Sequence, residues 1–190
     1  LVPHHSTGPD ATLTVAYAAS VTERIHFMLA HRPGFVAPTL AARQFASLDQ
    51  FSGGRLAVHY ISGGSDDEQK RDGDWLDHDQ RYARTDEYLE LLHKVWQADK
   101  PFDHEGAHFR VAGPHLSIPS PQRTPYLIQA GWSPRGREFA ARHAELIFVG
   151  DSDPQAIRAG LAGIRARAAE RGRDREQSRA VVGLNPVMAR

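Results

Sequence analysis

Cysteine is absent from the 190 residues, which excludes disulfide staples, thiolate zinc sites, iron–sulfur ligation and a cysteine nucleophile. Net charge is absent too. Lys and Arg number 23 and so do Asp and Glu, so no global field gathers nucleic acid or an anionic membrane. No apolar run approaches the roughly 18 residues of a membrane span, and Leu1-Val2-Pro3-His4-His5 lacks the basic and apolar regions of a signal peptide. A soluble, cytoplasmic protein is the expectation. What is present, 41% hydrophobic and 24% charged residues, suffices for one ordinary packed core.

The chain alternates two periodicities. The apolar run Ile25 to Ala30, ended by His31-Arg32-Pro33-Gly34, predicts a buried strand and a turn. From Thr39 to Phe51 a helix is expected, with Leu40, Phe45, Leu48 and Phe51 facing the core, Pro38 before it and Ser52-Gly53-Gly54 as its stop. Leu56 to Ile61 reads as a second strand, ended by Ser62-Gly63-Gly64-Ser65 and a long polar loop. Tyr82, Leu89, Leu92, Val95 and Trp96 give Asp79 to Ala98 a helical period. Lys100 to Gln122, punctuated by prolines and glycines, reads as an irregular insertion. The rhythm then resumes as strand (Tyr126 to Ala130), helix (Ser133 to His143), strand (Leu146 to Gly150), helix (Pro154 to Arg171) and a last strand from Ala180. The charged run Arg165 to Arg175 reads as a solvated helix end.

Strands separated by helices imply parallel pairing through right-handed crossovers, so the class is α/β. An open doubly wound sheet and part of an eight-stranded barrel both fit, and in both ligands gather at the carboxyl ends of strands. That rule singles out His31-Arg32, Ser62-Gly63-Gly64, Gly131-Trp132-Ser133 and Gly150-Asp151. The sequence begins at Leu1 rather than Met, and Leu1-Val2-Pro3 resembles the end of a buried strand. An excerpt of a larger fold, residues 1–190 of a single domain, is therefore expected.

Ser133 is a good N-cap and Pro134 suits a first helical position, so the segment Gly131 to Gly136 turns free backbone N–H groups toward the ligand side. A phosphate fits such a helix end, although an ordinary capped helix has the same signature. The segment lacks the Gly-Lys-Ser/Thr of a P-loop and the Gly-x-Gly-x-x-Gly spacing. His78 and Tyr82, four apart, can present an imidazole and a phenol from one helix face. His104-Glu105-Gly106-Ala107-His108 matches the zincin string. That motif needs a continuous helix, whereas Gly106 and Pro101 favour a loop, and no metal site is expected. The carboxylates of Asp66-Asp67-Glu68 and Asp72-Gly73-Asp74 are of the kind that bind a cation or are simply solvated. No Gly-x-Ser-x-Gly elbow anchors a serine hydrolase.

The ordered run Arg32-Pro33, Pro38-Thr39-Leu40-Ala41-Ala42-Arg43-Gln44, Ser47-Leu48-Asp49-Gln50, Ser52-Gly53-Gly54-Arg55, Ser62-Gly63-Gly64-Ser65-Asp66, Leu76-Asp77-His78, Arg81-Tyr82 and Gln129-Ala130-Gly131-Trp132-Ser133-Pro134 resembles the bacterial-luciferase-like flavin-dependent monooxygenases. The likeness is closest to their alkanesulfonate monooxygenase branch. The resemblance implies a (β/α)8 TIM barrel of the luciferase-like type, here from about strand 2 to strand 7, with the insertion near 100–122. A barrel of roughly 250 residues agrees with an excerpt.

The resemblance also implies the chemistry: a two-component monooxygenase that binds FMN as FMNH2, supplied by a separate NAD(P)H-dependent flavin reductase. Through a flavin C4a-peroxide formed with O2 it oxygenates a small organic substrate, an alkanesulfonate or other organosulfur compound among them. By position, Ser62, His78, Tyr82, Gly131, Trp132 and Ser133 fall on cofactor-binding places, and His31 and Arg32 lie beside the expected ring as the catalytic candidates. A homo-oligomer is implied as well. Departures bear on the substrate. Where alkanesulfonate enzymes have a Cys, this chain has Gly8 or a neighbour. Where they have Arg-x-His, it reads Leu184-Asn185-Pro186. His4, His5 and Arg32 are then the available cations. An F420-dependent oxidoreductase of the same fold and a non-catalytic flavin-binding protein are the alternatives.

Overall fold

The computed structural model describes residues 1–150, 153–174 and 178–182, and the chain divides into two compact units, Leu1–Leu127 and Ile128–Arg190. In the first unit Val2 forms a parallel bridge to Leu29. Its N–H donates to the Met28 carbonyl at 2.8 Å and its carbonyl accepts from Ala30 at 3.0 Å. The strand end expected at Leu1-Val2-Pro3 is thus present as one bridge beside β1 (Phe27–His31). Between them runs α1 (Ala11–Ser20), capped by Asp10, whose carboxylate accepts from the Leu13 N–H at 2.8 Å. The periodicity did not predict it. Its buried face is Ala11, Val15 and Ala19, while its larger Leu13 and Tyr17 face outward.

Strand β1 is followed by α2 (Pro38–Ser52) and β2 (Leu56–Tyr60), and the two strands pair in parallel from Phe27↔Leu56 to His31↔Tyr60. Proline occupies the first turn of α2 because its missing N–H has no partner to lose there. Gly53, at φ 64°, ends the helix in the left-handed region. Phe45 and Leu48 are buried as expected, but Leu40 and Phe51 are 40% and 65% exposed. Ala41, Ala42 and Ala46 take the core face instead, which lets the helix approach its neighbours closely.

Part of the expected polar loop is a helix, α3 (Asp66–Arg71), with three acids in its first turn and two bases in its last. That charge order complements the helix dipole. Helix α4 (His78–Gln97) follows, opened by a capping box of Asp77 and Gln80. All five residues that marked its period are buried, and the Trp96 indole N–H donates to the Ala42 carbonyl at 3.1 Å.

The insertion contains an antiparallel hairpin of β3 (Asp103–Glu105) and β4 (Arg110–Ala112). Its far end is tethered by the fully buried Asp49. That carboxylate accepts from the Ser120 hydroxyl, from the Gln122 amide side chain at 2.6 Å and from the Gln122 backbone N–H at 3.1 Å.

At the boundary lies β5 (Tyr126–Gln129), and the second unit continues with α5 (Pro134–His143), β6 (Leu146–Val149), α6 (Pro154–Glu170) and β7 (Arg179–Val182). Ile128 pairs in parallel with Leu146, and β6 pairs in parallel with β7 from Leu146↔Arg179 to Val149↔Val182. Phe139, Ile147, Val149 and Ile164 make its core. Parallel strands joined by helices confirm the α/β class. Asp151, Arg175 and the rest of the expected last strand, with Leu184-Asn185-Pro186, lie outside the described residues. Among the described residues no helix is long and apolar enough to cross a membrane.

Candidate functional site

In the first unit three segments leave the carboxyl ends of neighbouring parallel chain positions: His4–Asp10 after Val2, Arg32–Phe35 after β1, and Ile61–Asp72 after β2. Arg32 joins them. Its side chain is 3% exposed, pairs with Glu68 at 2.6 Å and Asp72 at 3.4 Å, and donates to the His4 carbonyl at 3.3 Å. The Arg32 hydrogen bond lowers the pKa of the Glu68 carboxyl, the Ser6 N–H and His5 adding to it against the opposing effect of burial. The positive charge of Arg32 is therefore compensated by two carboxylates, and the guanidinium works as a clip between three loops.

One residue below, His31 is buried among Phe45, Tyr60 and Tyr88, with ring centroids 4.9, 5.9 and 5.6 Å away. A His31 ring nitrogen and the Tyr88 hydroxyl are 2.8 Å apart. Burial first, and then the nearby His4, push the His31 pKa down to about 3. The imidazole is neutral at physiological pH, with one ring N–H to donate and one ring nitrogen to accept. Burial also pushes the Tyr88 phenol up, far above the range in which it ionises. His4 is lowered by burial and by Arg32.

Ser62 lies just past β2, half-buried. The next residue, Gly63, has φ 90°, and a Cβ there would meet the amide of buried Gln69 at 2.0 Å. Only glycine fits this bend without displacing Gln69. Arg81, also buried, donates to the Leu76 carbonyl at 2.5 Å and pairs with Asp66 at 2.8 Å, with a longer contact of 3.4 Å to the Gly63 carbonyl. It ties the Ser62 loop to the first turn of α4, where His78 and Tyr82 stand. Their rings are 5.0 Å apart, with the His78 side chain 47% exposed beside Asp79 and Tyr82 buried.

In the second unit Ser133 caps α5 as the sequence predicted, its hydroxyl accepting from the Gly136 N–H at 3.0 Å, with Pro134 in the first turn. The Trp132 ring lies 5.2 Å from the Arg137 guanidinium and fills the space where a Cβ on Gly160 would sit, 2.4 Å from the ring. Gln129, the last residue of β5, is buried and donates its amide to the Gly131 carbonyl at 3.1 Å. A carbonyl can only accept, so the amide orientation is fixed and its oxygen, which has no partner among the described residues, is left as an acceptor. A helix N-terminus, a serine hydroxyl and an orphaned buried acceptor fit a ligand that carries both a phosphate and hydroxyl groups. Gln129, Arg81 and Glu68 stand within segments that the sequence singled out, but no role in the site was assigned to any of them. The available signal was a polar residue at an inward position of a strand or helix.

Other sequence candidates resolve differently. His104 and Glu105 lie on β3, not on a helix, and His104 is 3.0 Å from Glu87. Glu87 also accepts from the His108 and Phe109 N–H groups at 2.8 and 2.9 Å, pinning the hairpin turn to α4. Four of the five acids of the 66–74 region pair with arginines, Asp66 with Arg81, Glu68 and Asp72 with Arg32, and Asp74 with Arg84. Among the described residues no group of three or more His, Asp or Glu is placed to hold a metal ion.

The profile of the luciferase-like monooxygenases matches residues 1–190. This chain belongs to the luciferase-like monooxygenase family. A long-chain alkane monooxygenase of Geobacillus thermodenitrificans is 32% identical over 204 aligned positions, which cover 95% of this chain and 46% of that protein. The crystal structure of a long-chain alkane monooxygenase superposes with a TM-score of 0.86 at 33% identity, over 93% of this chain and 46% of that one. A riboflavin lyase crystallised with modified FMN and riboflavin gives a TM-score of 0.84 at 29% identity, over 91% of this chain and 44% of that one. The luciferase-like chain thus spans about half the length of the relatives it matches, and its parallel α/β architecture is that of the family's barrel.

Proposed function

We propose that this chain is the flavin-binding portion of a two-component monooxygenase that uses FMNH2 and O2 to oxygenate a small organic molecule. A separate NAD(P)H-dependent reductase supplies the reduced flavin. The observation that carries the reading is the capped N-terminus of α5, with Ser133 at the cap and Gln129 behind it, in a luciferase-like monooxygenase. FMN, when bound, supplies the redox chemistry with O2 that no side chain can provide.

The chain's own residues bind and position. The α5 N-terminus, Gly131, Trp132 and Ser133 receive a phosphate, Gln129 accepts from a ligand hydroxyl, and His78 with Tyr82 offers a second set of donors. Ser62, on a loop fixed by Gly63, Gln69 and Arg81, presents a hydroxyl at the end of β2. His31 and Arg32 shape the mouth, His31 as a neutral ring in an aromatic bed and Arg32 as the clip above it. An alkanesulfonate, the substrate of the branch whose motifs the chain resembles, requires a cation to receive it. Arg32 is already engaged by two carboxylates.

The test is turnover with FMN, NADH and a flavin reductase under 18O2, screening alkanes, organosulfur compounds and amines. One labelled oxygen in the product, lost when the reductase is omitted, is the expected result. Stimulation by reduced F420 alone would place the protein with deazaflavin enzymes. Flavin binding without product from any class would leave a flavin carrier.

A further inference from the structure

A cavity of about 400 Å³ opens at the carboxyl ends of the parallel strands of the first unit and is lined by His4, His5, Ser6, Asp10, Phe35 and Asp72. Its position follows from the topology. The lining comes from the segment after Val2 and the segments after β1 and β2, where parallel α/β folds place their ligands. One wall is aromatic, His4 stacked on Phe35 with ring centroids 6.3 Å apart.

We infer that this cavity takes the substrate's polar end, and that it selects an amine or another donor-bearing, uncharged or cationic group while rejecting anions. The argument is one of charge and hydrogen-bond polarity. The nearby cation is Arg32, and Glu68 and Asp72 both hold it. Two acids against one base leave that cluster with an excess negative charge. Asp10, at the N-cap of α1, adds a further carboxylate to the rim. Carboxylates only accept hydrogen bonds, so a group that only accepts, such as a sulfonate, meets repulsion from Asp10 and Asp72 and finds donors only in the Ser6 hydroxyl and the His4 and His5 rings of the lining. An ammonium or hydroxyl finds the opposite, with the His4–Phe35 pair beside it to receive an adjoining carbon chain. This rests on the flavin-monooxygenase reading only in calling the ligand a substrate.

The experiment is calorimetry on the full-length protein without flavin, using hexylammonium, 1-hexanol and hexanesulfonate, which share a tail and differ in the head. Hexylammonium is expected to bind at least about tenfold more tightly than hexanesulfonate, with the gap shrinking as salt is added. In Asp10→Asn/Asp72→Asn that gap narrows. Asn still caps a helix, and the Arg32–Glu68 pair remains, so the double variant keeps its fold. Sulfonate binding as tight as ammonium, no binding of any probe, or an unchanged gap in the folded double variant would each overturn the inference. Because no flavin is present, the ranking of probes stands or falls separately from the flavin reading, which an anaerobic FMNH2 titration tests on its own.

Discussion

Lowering the pH from 8 to 5 should destabilise the protein through His31. The native imidazole is held at about 3 by burial, whereas an unfolded histidine titrates near 6.5. Between those values the unfolded chain binds a proton that the native chain excludes. Stability from His31 is therefore complete above about pH 6.5 and is lost as the pH falls below it, down to about 3. Linkage gives about 2 kcal/mol lost between pH 8 and pH 5 for this one group. His59, pushed down to about 4 by its own burial on β2, loses about the same again, so the pair loses about 4 kcal/mol in total. Equilibrium urea unfolding at pH 8, 7, 6 and 5 reads this as a falling midpoint. His31→Gln, which keeps a polar partner for Tyr88 but cannot titrate, should remove about 2 kcal/mol of the pH dependence whatever its stability at pH 8. A flat midpoint from pH 7 to 5, or the same slope in His31→Gln, would refute the reasoning.

Other perturbations follow from the same geometry. Gly63→Ala meets both a φ of 90° and the Gln69 amide, and should cost about 1–3 kcal/mol in a urea titration. Asp49→Asn removes the charge that gathers Ser120 and Gln122 onto α2. A loss of about 2–3 kcal/mol is expected, with faster proteolysis between residues 113 and 122. Gly160→Val must displace the Trp132 ring. It should shift tryptophan emission and weaken FMNH2 binding about tenfold or more, while a variant with unaltered emission would show that Trp132 does not rest there.

What the sequence made legible was whatever is written locally. Helix α4 announced itself because its core face carries large residues at helical spacing, and the Ser133 cap because it acts on its own next turn. Helix α1 was hidden because its inward residues are two alanines and a valine, a weak hydrophobic signal. Helix α3 was hidden for another reason. It has no apolar stripe, and Arg32 and Arg81, distant in sequence, hold it by charge. The same distance concealed the state of Arg32. As a sequence position it is a free cation at a strand end, whereas in the fold two carboxylates on the next loop compensate it. Ser62, His78 and Ser133 stand at element ends, where backbone rules operate, and Tyr82 lies one helical turn on from His78. Gln129 was quoted within its motif but given no role, because nothing local shows that its side chain is buried with one amide atom left over.

The central claim is that the α5 helix end holds the phosphate of reduced FMN. It is tested most directly by an anaerobic titration of the full-length protein with FMNH2, FMN and F420, alongside Ser133→Ala and Tyr82→Phe. The account predicts tightest binding of FMNH2, weakened about tenfold in each variant with the fold unchanged. FMNH2 binding that neither change affects, or no binding at all, would contradict it.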